Sequence, residues 1–175
     1  MELRFLDFLQ TIHIPLLDKI LAFITSLGNA GIIWIVLAVV LLILPKTRKV
    51  GIIVAAALLV NLVLCNLILK NLVARMRPYD VNMDIAILIK KPLDFSFPSG
   101  HTAASFAAMT ALFLAKMKKT WIAALILAVL IAFSRLYFYV HYPTDVLGGI
   151  AVGILSGVIG YAIVEKLDKC RRTVK

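Results

Sequence analysis

Nine ionisable side chains stand in or beside apolar sequence at three places along the chain: Lys70, Arg75 and Arg77, then Lys90, Lys91 and His101, then Arg135, His141 and Asp145. The set combines cations that would hold an anion, imidazoles that exchange a proton near neutral pH, and one carboxylate. In KNLVARMRP the seven-residue step from Lys70 to Arg77 is close to two helical turns, which predicts both cations on a similar face if the helix persists. Pro78 biases Arg77 out of helical geometry and places its guanidinium at a helix-to-loop transition. The alternative for these cations is contact of their charged ends with lipid headgroups, and Arg75 has no better claim than that.

In FPSGH, Pro98 stiffens the approach, Ser99 suits a helix N-cap and Gly100 lets an anion come close to the backbone. The free amides and positive dipole end of a helix starting there make a phosphate cradle, with His101 in its first turn able to donate or accept a proton. Taken alone, the stretch is equally an ordinary cap with a structural histidine. In SRLYFYVHYPTD, Pro143 biases Tyr142 to an extended conformation and predicts a helix from Pro143 with Asp145 in its first turn. Asp145 can then fold back on His141, where a carboxylate on one ring nitrogen fixes the tautomer and leaves the other as nucleophile or base. The alternatives are a dipole-stabilised Asp and an interfacial aromatic belt with Tyr137, Tyr139 and Tyr142. Arg135 follows a long apolar run and calls for an anionic partner.

The elements that must position these groups are membrane helices. Of 175 residues, 62% are hydrophobic and 16% charged, and the mean hydropathy is +1.00. A water-soluble domain of this length has too little interior for that much apolar surface. Apolar runs at about 15–27, 31–44, 50–69, 99–115, 121–140 and 144–164 predict an all-α, polytopic bundle of about six transmembrane helices in one domain, residues 1–175. The first run is short for a crossing and holds Asp18 and Lys19, so a partly buried or interfacial helix is the other reading. Before it, Leu3, Phe5, Leu6, Phe8, Leu9 and Ile12 pattern as an amphipathic helix on the membrane surface. Gly149, Gly153 and Gly157 recur every four residues and leave one smooth face for close helix contact.

The formal charge of +10 lies in KTRK, KMKK and the tail KLDKCRRTVK, each after an apolar run, which is the pattern of cytoplasmic membrane loops rather than of a nucleic-acid surface. The connections near Gly28, over 70–97 and over 141–144 then face outside. Six crossings would put both termini in the cytoplasm, and five would put the amino end outside. MELRFLDFLQ lacks the basic start and small-residue cleavage site of a signal peptide and reads as retained sequence. The two cysteines, Cys65 and Cys170, form no disulfide framework or zinc pattern.

Lys70-x6-Arg77-Pro78, Pro98-Ser99-Gly100-His101 and Ser134-Arg135-x5-His141-x3-Asp145, in that order, resemble the tripartite signature of the type 2 phosphatidic acid phosphatase superfamily, which also includes bacterial acid phosphatases and vanadium haloperoxidases. The resemblance runs from about residue 16 to 164. It implies a membrane lipid phosphatase that uses no metal or cofactor. By resemblance His141 is the nucleophile that forms a phosphohistidine, Asp145 orients its ring, and His101 protonates the departing oxygen and then activates water. Lys70, Arg77, Ser99, Gly100 and Arg135 would surround the phosphate oxygens. Within the superfamily the compact chain resembles the small bacterial undecaprenyl diphosphate phosphatases, with phosphatidylglycerophosphate and phosphatidic acid as alternative substrates. A non-catalytic lipid-phosphate binding or transport protein is the reading from another class, and a vanadate-dependent haloperoxidase is conceivable by kinship. The expected partners are a lipid phosphate and membrane lipids, in the cell membrane, with the site at its outer face. Lys90 and Lys91 suit either headgroup contacts or a second phosphate, and Ile85 to Ile89 suit a gate dipping into the interface.

Overall fold

Gly28 interrupts the first apolar stretch before it can become a straight span. In the computed structural model, which describes residues 1–173, α2 (Pro15–Leu27) gives way to a 3-10 turn over Asn29–Gly31, and α3 (Ile32–Ile43) leaves at 47° to it. Ala30 and Gly31, with φ of 50° and 70°, turn the chain through the left-handed region. Ahead of the bend, α1 (Glu2–Gln10) buries Leu6 and Leu9 in a cluster with Tyr137 and Tyr139 and leaves Phe5 and Phe8 exposed. The amphipathic pattern is real, but protein rather than lipid covers its inner face.

α4 (Arg48–Asn61) continues into a π-helical stretch, Leu62–Leu69, and a last α-turn, α5 (Lys70–Val73). The wider π turns rotate everything beyond Asn61 relative to an unbroken α-helix, and hydropathy carries no trace of them. Ala74, at φ 47°, ends the run, and α6 (Pro78–Val81) restarts at the proline. Lys70 and Arg77 therefore do not share a helical face as expected, because the chain from Ala74 to Arg77 is not helical. They meet through the loop that follows.

α7 (Gly100–Leu114) is packed between α8 (Lys118–Tyr137), α4 and α9 (Pro143–Thr173). Its small side chains and the glycine row of α9 let two backbones touch. A Cβ at Gly153 would stand 2.5 Å from the Ala103 carbonyl oxygen, and one at Gly149 2.8 Å from that of Ser99. Gly153→Leu should accordingly destabilise the protein by about 1–3 kcal/mol, read as a lower thermal midpoint in detergent. An unchanged midpoint would remove the packing explanation of the glycine row.

Among the described residues, three helical segments are long and apolar enough to cross a membrane: Arg48–Val81, Lys118–Tyr137 and Pro143–Arg171. α2 and α3 add a fourth if the bent pair is one crossing, and α7 is apolar but shorter. Six straight crossings would bring both termini to one end of the bundle. Instead Glu2 bonds to Thr144 in the first turn of α9, whereas Lys49 pairs with Glu165 and Asp168 toward its other end. The amino end thus lies opposite the end of α9, as expected if α2 and α3 cross once between them. The final two residues of the basic tail, Val174 and Lys175, lie outside the described residues.

Candidate active site

The loop ends of α5, α7, α8 and α9 gather three buried cations. Lys70 is 6% exposed, and Arg77 and Arg135 are 2% exposed, a burial that needs counter-charge. Asp94 supplies it for two of them: Lys70 Nζ bonds its Oδ2, and Arg77 Nη2 lies 2.6 Å from its Oδ1. Arg77 is also clamped to backbone, through Nε to the Asp94 carbonyl and Nη1 to the Val140 carbonyl, both at 2.7 Å. Burial works to raise the Asp94 carboxyl, but the Lys70 hydrogen bond and the charges of Lys70 and Arg77 outweigh it and hold it at about 2. A protein carboxylate thus sits between the two cations that the resemblance led us to expect around a phosphate.

Among the described residues Arg135 has no such partner. Its Nη1 donates to Thr25 Oγ1 at 2.7 Å, while its buried Nε has no acceptor among them. Buried donors are nearly always paired, so the orphaned guanidinium nitrogen is a donor still open to an acceptor. Arg135 and His101 line a cavity of about 630 Å³, with Asn29, Lys90 and Lys91 also on its wall. Both lysines are exposed, and Lys91 Nζ stands 5.3 Å from the centre of the Tyr79 ring.

His141 is 1% exposed, in the turn that Tyr139 tightens at φ 59°, and α9 begins at Pro143 as the sequence predicts. Asp145, wholly buried, places Oδ2 3.5 Å from His141 Nδ1, longer than a good hydrogen bond. Ser96 stands beside the pair, its Oγ 2.5 Å from the same oxygen and 3.5 Å from Nδ1. On the other side of the ring, Arg77 Nη1 is 3.3 Å from Nε2. A guanidinium only donates, so Nε2 carries the lone pair and the ring proton sits on Nδ1, toward Asp145. Burial first, then the charges of Arg77, Arg135 and Lys70, push His141 well below its usual value. That direction favours the neutral ring, with Nε2 on the side of Arg77.

Ser99 occupies the N-cap position of α7, yet its hydroxyl makes no capping bond and instead accepts from Thr102 Oγ1 at 3.0 Å. The capping role expected of its side chain is therefore not realised; its backbone N–H donates to the Asp145 carbonyl at 3.0 Å. A Cβ at Gly100 would meet Asn66 Oδ1 at 3.4 Å and Lys70 Nζ at 3.7 Å, so the ammonium stands directly beside the first turn of α7. His101 Nε2 lies 3.0 Å from Asn29 Oδ1. Its ring fills the space over Gly28, where a Cβ would be 2.7 Å from Cδ2. The bend between α2 and α3 is thus what receives His101.

Residues 49–169 match the family model of the PAP2 superfamily. The chain belongs to the PAP2 superfamily. An undecaprenyl-diphosphatase of Sulfolobus acidocaldarius is 34% identical over 141 residues, covering 81% of this chain and 68% of its own. A lipid A 4'-phosphatase of Bacteroides thetaiotaomicron is 32% identical over 180 residues, covering 95% and 78%. Among solved structures, a transmembrane PAP2-type phosphatidylglycerolphosphate phosphatase of Bacillus subtilis superposes with a TM-score of 0.72 at 30% identity, over 96% of this chain and 84% of that one. The protein is a multi-pass membrane phosphatase of lipid phosphates.

A groove of about 590 Å³ runs between α3 and α4, past Val39, Leu42 and Leu58, and ends on Lys70, Gly100 and His101. Its lining is apolar along α3 and α4 and polar at the Lys70 end. The sequence assigned no part in the site to four groups that the fold places there: Asp94, Ser96, Asn29 and Arg75. Asp94 alone left a trace, as the one acid in KKPLDFSFPSGH.

Proposed function

We propose that this PAP2 protein hydrolyses undecaprenyl diphosphate through a phosphohistidine on His141. The observation that carries the reading is the buried His141 ring, held with Nε2 3.3 Å from Arg77 Nη1 and with Nδ1 toward Asp145. Phosphate takes Lys70 and Arg77 over from Asp94 and fills the unpaired Arg135 Nε. Nε2 then attacks phosphorus, a P–N bond forms, and the P–O bond to the lipid-linked leaving group breaks while His101 gives that oxygen a proton. In the second half His101 takes a proton from water, whose oxygen attacks phosphorus and breaks the P–N bond, releasing inorganic phosphate. The three cations, Ser99 and the first-turn amides at Gly100 neutralise charge on the transferring group.

The diphosphate lipid is favoured by the undecaprenyl-diphosphatase relative and by Lys90 and Lys91 on the cavity that His101 and Arg135 share. Phosphatidylglycerophosphate is the second reading, favoured by the Bacillus subtilis structure, with phosphatidic acid as a related monophosphate substrate. Phosphate release from undecaprenyl diphosphate, phosphatidylglycerophosphate, phosphatidic acid and lipid A, in detergent with a chelator, ranks these. Fastest release from the diphosphate is expected. Binding of these lipids without release, or strict dependence on added divalent metal, would overturn the mechanism.

The site faces outside in this reading, since KTRK and KMKK lie in the turns at the other end of the helices. Met83, 84% exposed in the loop before FPSGH, offers a test. In a Cys170→Ser background, Met83→Cys should react with an impermeant maleimide on intact cells. Labelling only after permeabilisation would reverse the orientation.

A further inference from the structure

Arg75, for which the sequence suggests only a headgroup contact, turns inward. The left-handed Ala74 directs it off the helical row, and its carbonyl is held by the Ser96 N–H at 2.8 Å. Nη1 donates to Asp145 Oδ1 at 2.7 Å and to Thr144 Oγ1 at 2.6 Å. Nη2 donates to Glu2 Oε2 at 2.7 Å, and the guanidinium carbon lies 3.8 Å from the centre of the Tyr142 ring. Glu2 Oε1 in turn accepts from the Thr144 N–H at 3.0 Å and from its hydroxyl at 2.7 Å.

The two oxygens of Asp145 are divided between separate roles. Oδ2 serves the His141 side, with Ser96 and the Tyr142 N–H at 2.9 Å, while Oδ1 is held by Arg75. A fully buried carboxylate needs both a counter-charge and a fixed rotamer, and a planar guanidinium that is itself stacked and doubly anchored supplies both. If the carboxylate rotates, Nδ1 no longer faces a negative oxygen and the imidazole loses a reason to present Nε2 as a lone pair.

We propose that Arg75, braced by Glu2 at the head of α1, is a positioning residue for phosphoryl transfer, setting the aim and tautomer of His141 through Asp145. The proposal rests on His141 as the nucleophile. It also gives α1 a role in catalysis, because this amphipathic helix carries the outermost member of a Glu2–Arg75–Asp145–His141 chain.

The test uses the full chain in detergent, with undecaprenyl diphosphate turnover, inorganic-phosphate inhibition, thermal midpoint and acid-labile phosphoenzyme trapping. Arg75→Ala should lower kcat by about 10–100-fold, the range for groups that orient a reacting ligand, while KM and phosphate inhibition stay within about threefold. Arg75→Lys should recover part of that loss, and Glu2→Gln should lose about threefold on the same scale. Arg75→Ala with kcat within about threefold of wild type overturns the proposal. So does a variant whose KM rises and midpoint falls in step with kcat and which Arg75→Lys does not rescue, because that is a structural residue. A wild-type protein that traps no phosphoenzyme, with His141→Ala still active, removes the nucleophile reading beneath it. An intact His141 result with a silent Arg75 removes this proposal alone.

Discussion

Replacing His141 by Ala should reduce phosphate release from the preferred lipid by at least about ten-thousand-fold, the scale on which loss of a covalent nucleophile is felt. Its neighbours are poor substitutes: Ser96 is engaged by the Asp145 carboxylate, and His101 is turned toward Asn29. The residue is buried, so His141→Gln serves as a second variant that keeps most of the volume while removing the imidazole nitrogens. Both should bind inorganic phosphate, since Lys70, Arg77 and Arg135 remain, yet trap no phosphoenzyme. Turnover near the wild-type rate in either would take the nucleophile role away from His141. The direction of its shift adds a pH signature. A lowered value keeps the free ring neutral to more acid pH, so the acid limb of kcat/KM that reports His141 should lie below its ordinary 6.5. A limb centred on the ordinary value would contradict the environment described for the ring.

His101→Ala should slow lipid turnover by about 10²–10⁴-fold, the usual contribution of a positioned proton donor and acceptor. The expected loss depends on the leaving group. An aryl phosphate whose phenolate leaves without protonation should form phosphoenzyme at close to the wild-type rate, whereas a lipid should not. Because the same imidazole is assigned to activate water, the intermediate from the aryl phosphate should then accumulate. Partial exposure of the ring over Gly28 makes the truncation tolerable to the fold. Equal losses with both leaving groups and no trapped intermediate would make His101 a phosphate ligand or a structural residue.

The residues that hold phosphate in this reading were legible in the sequence because each breaks a local rule. Arg135 ends an apolar run, Pro98 to His101 open a helix with small and polar residues, and Pro143 announces the helix that carries Asp145. Lys70 and Arg77 were legible as a pair, but the helical face invoked to join them does not exist. A π stretch, a left-handed Ala74 and Asp94 bring them together instead. None of these has a periodic signature. Arg75 shows the same gap: in the sequence it is one more cation for the headgroups, and only a contact spanning seventy residues shows its carboxylate.

By itself, then, the sequence determined that the chain is a helical membrane protein, and it singled out the basic and histidine residues expected to hold phosphate. Hydropathy, helix-breaking residues and the cost of charge at membrane depth are written locally. Only the tertiary structure decided which carboxylate answers which cation, that α1 and the amino end lie beside the site, and that α2 and α3 bend to receive His101. Those outcomes depend on electrostatic and packing partners far apart along the chain. Each buried charge finds its counter-charge only after the helices have packed.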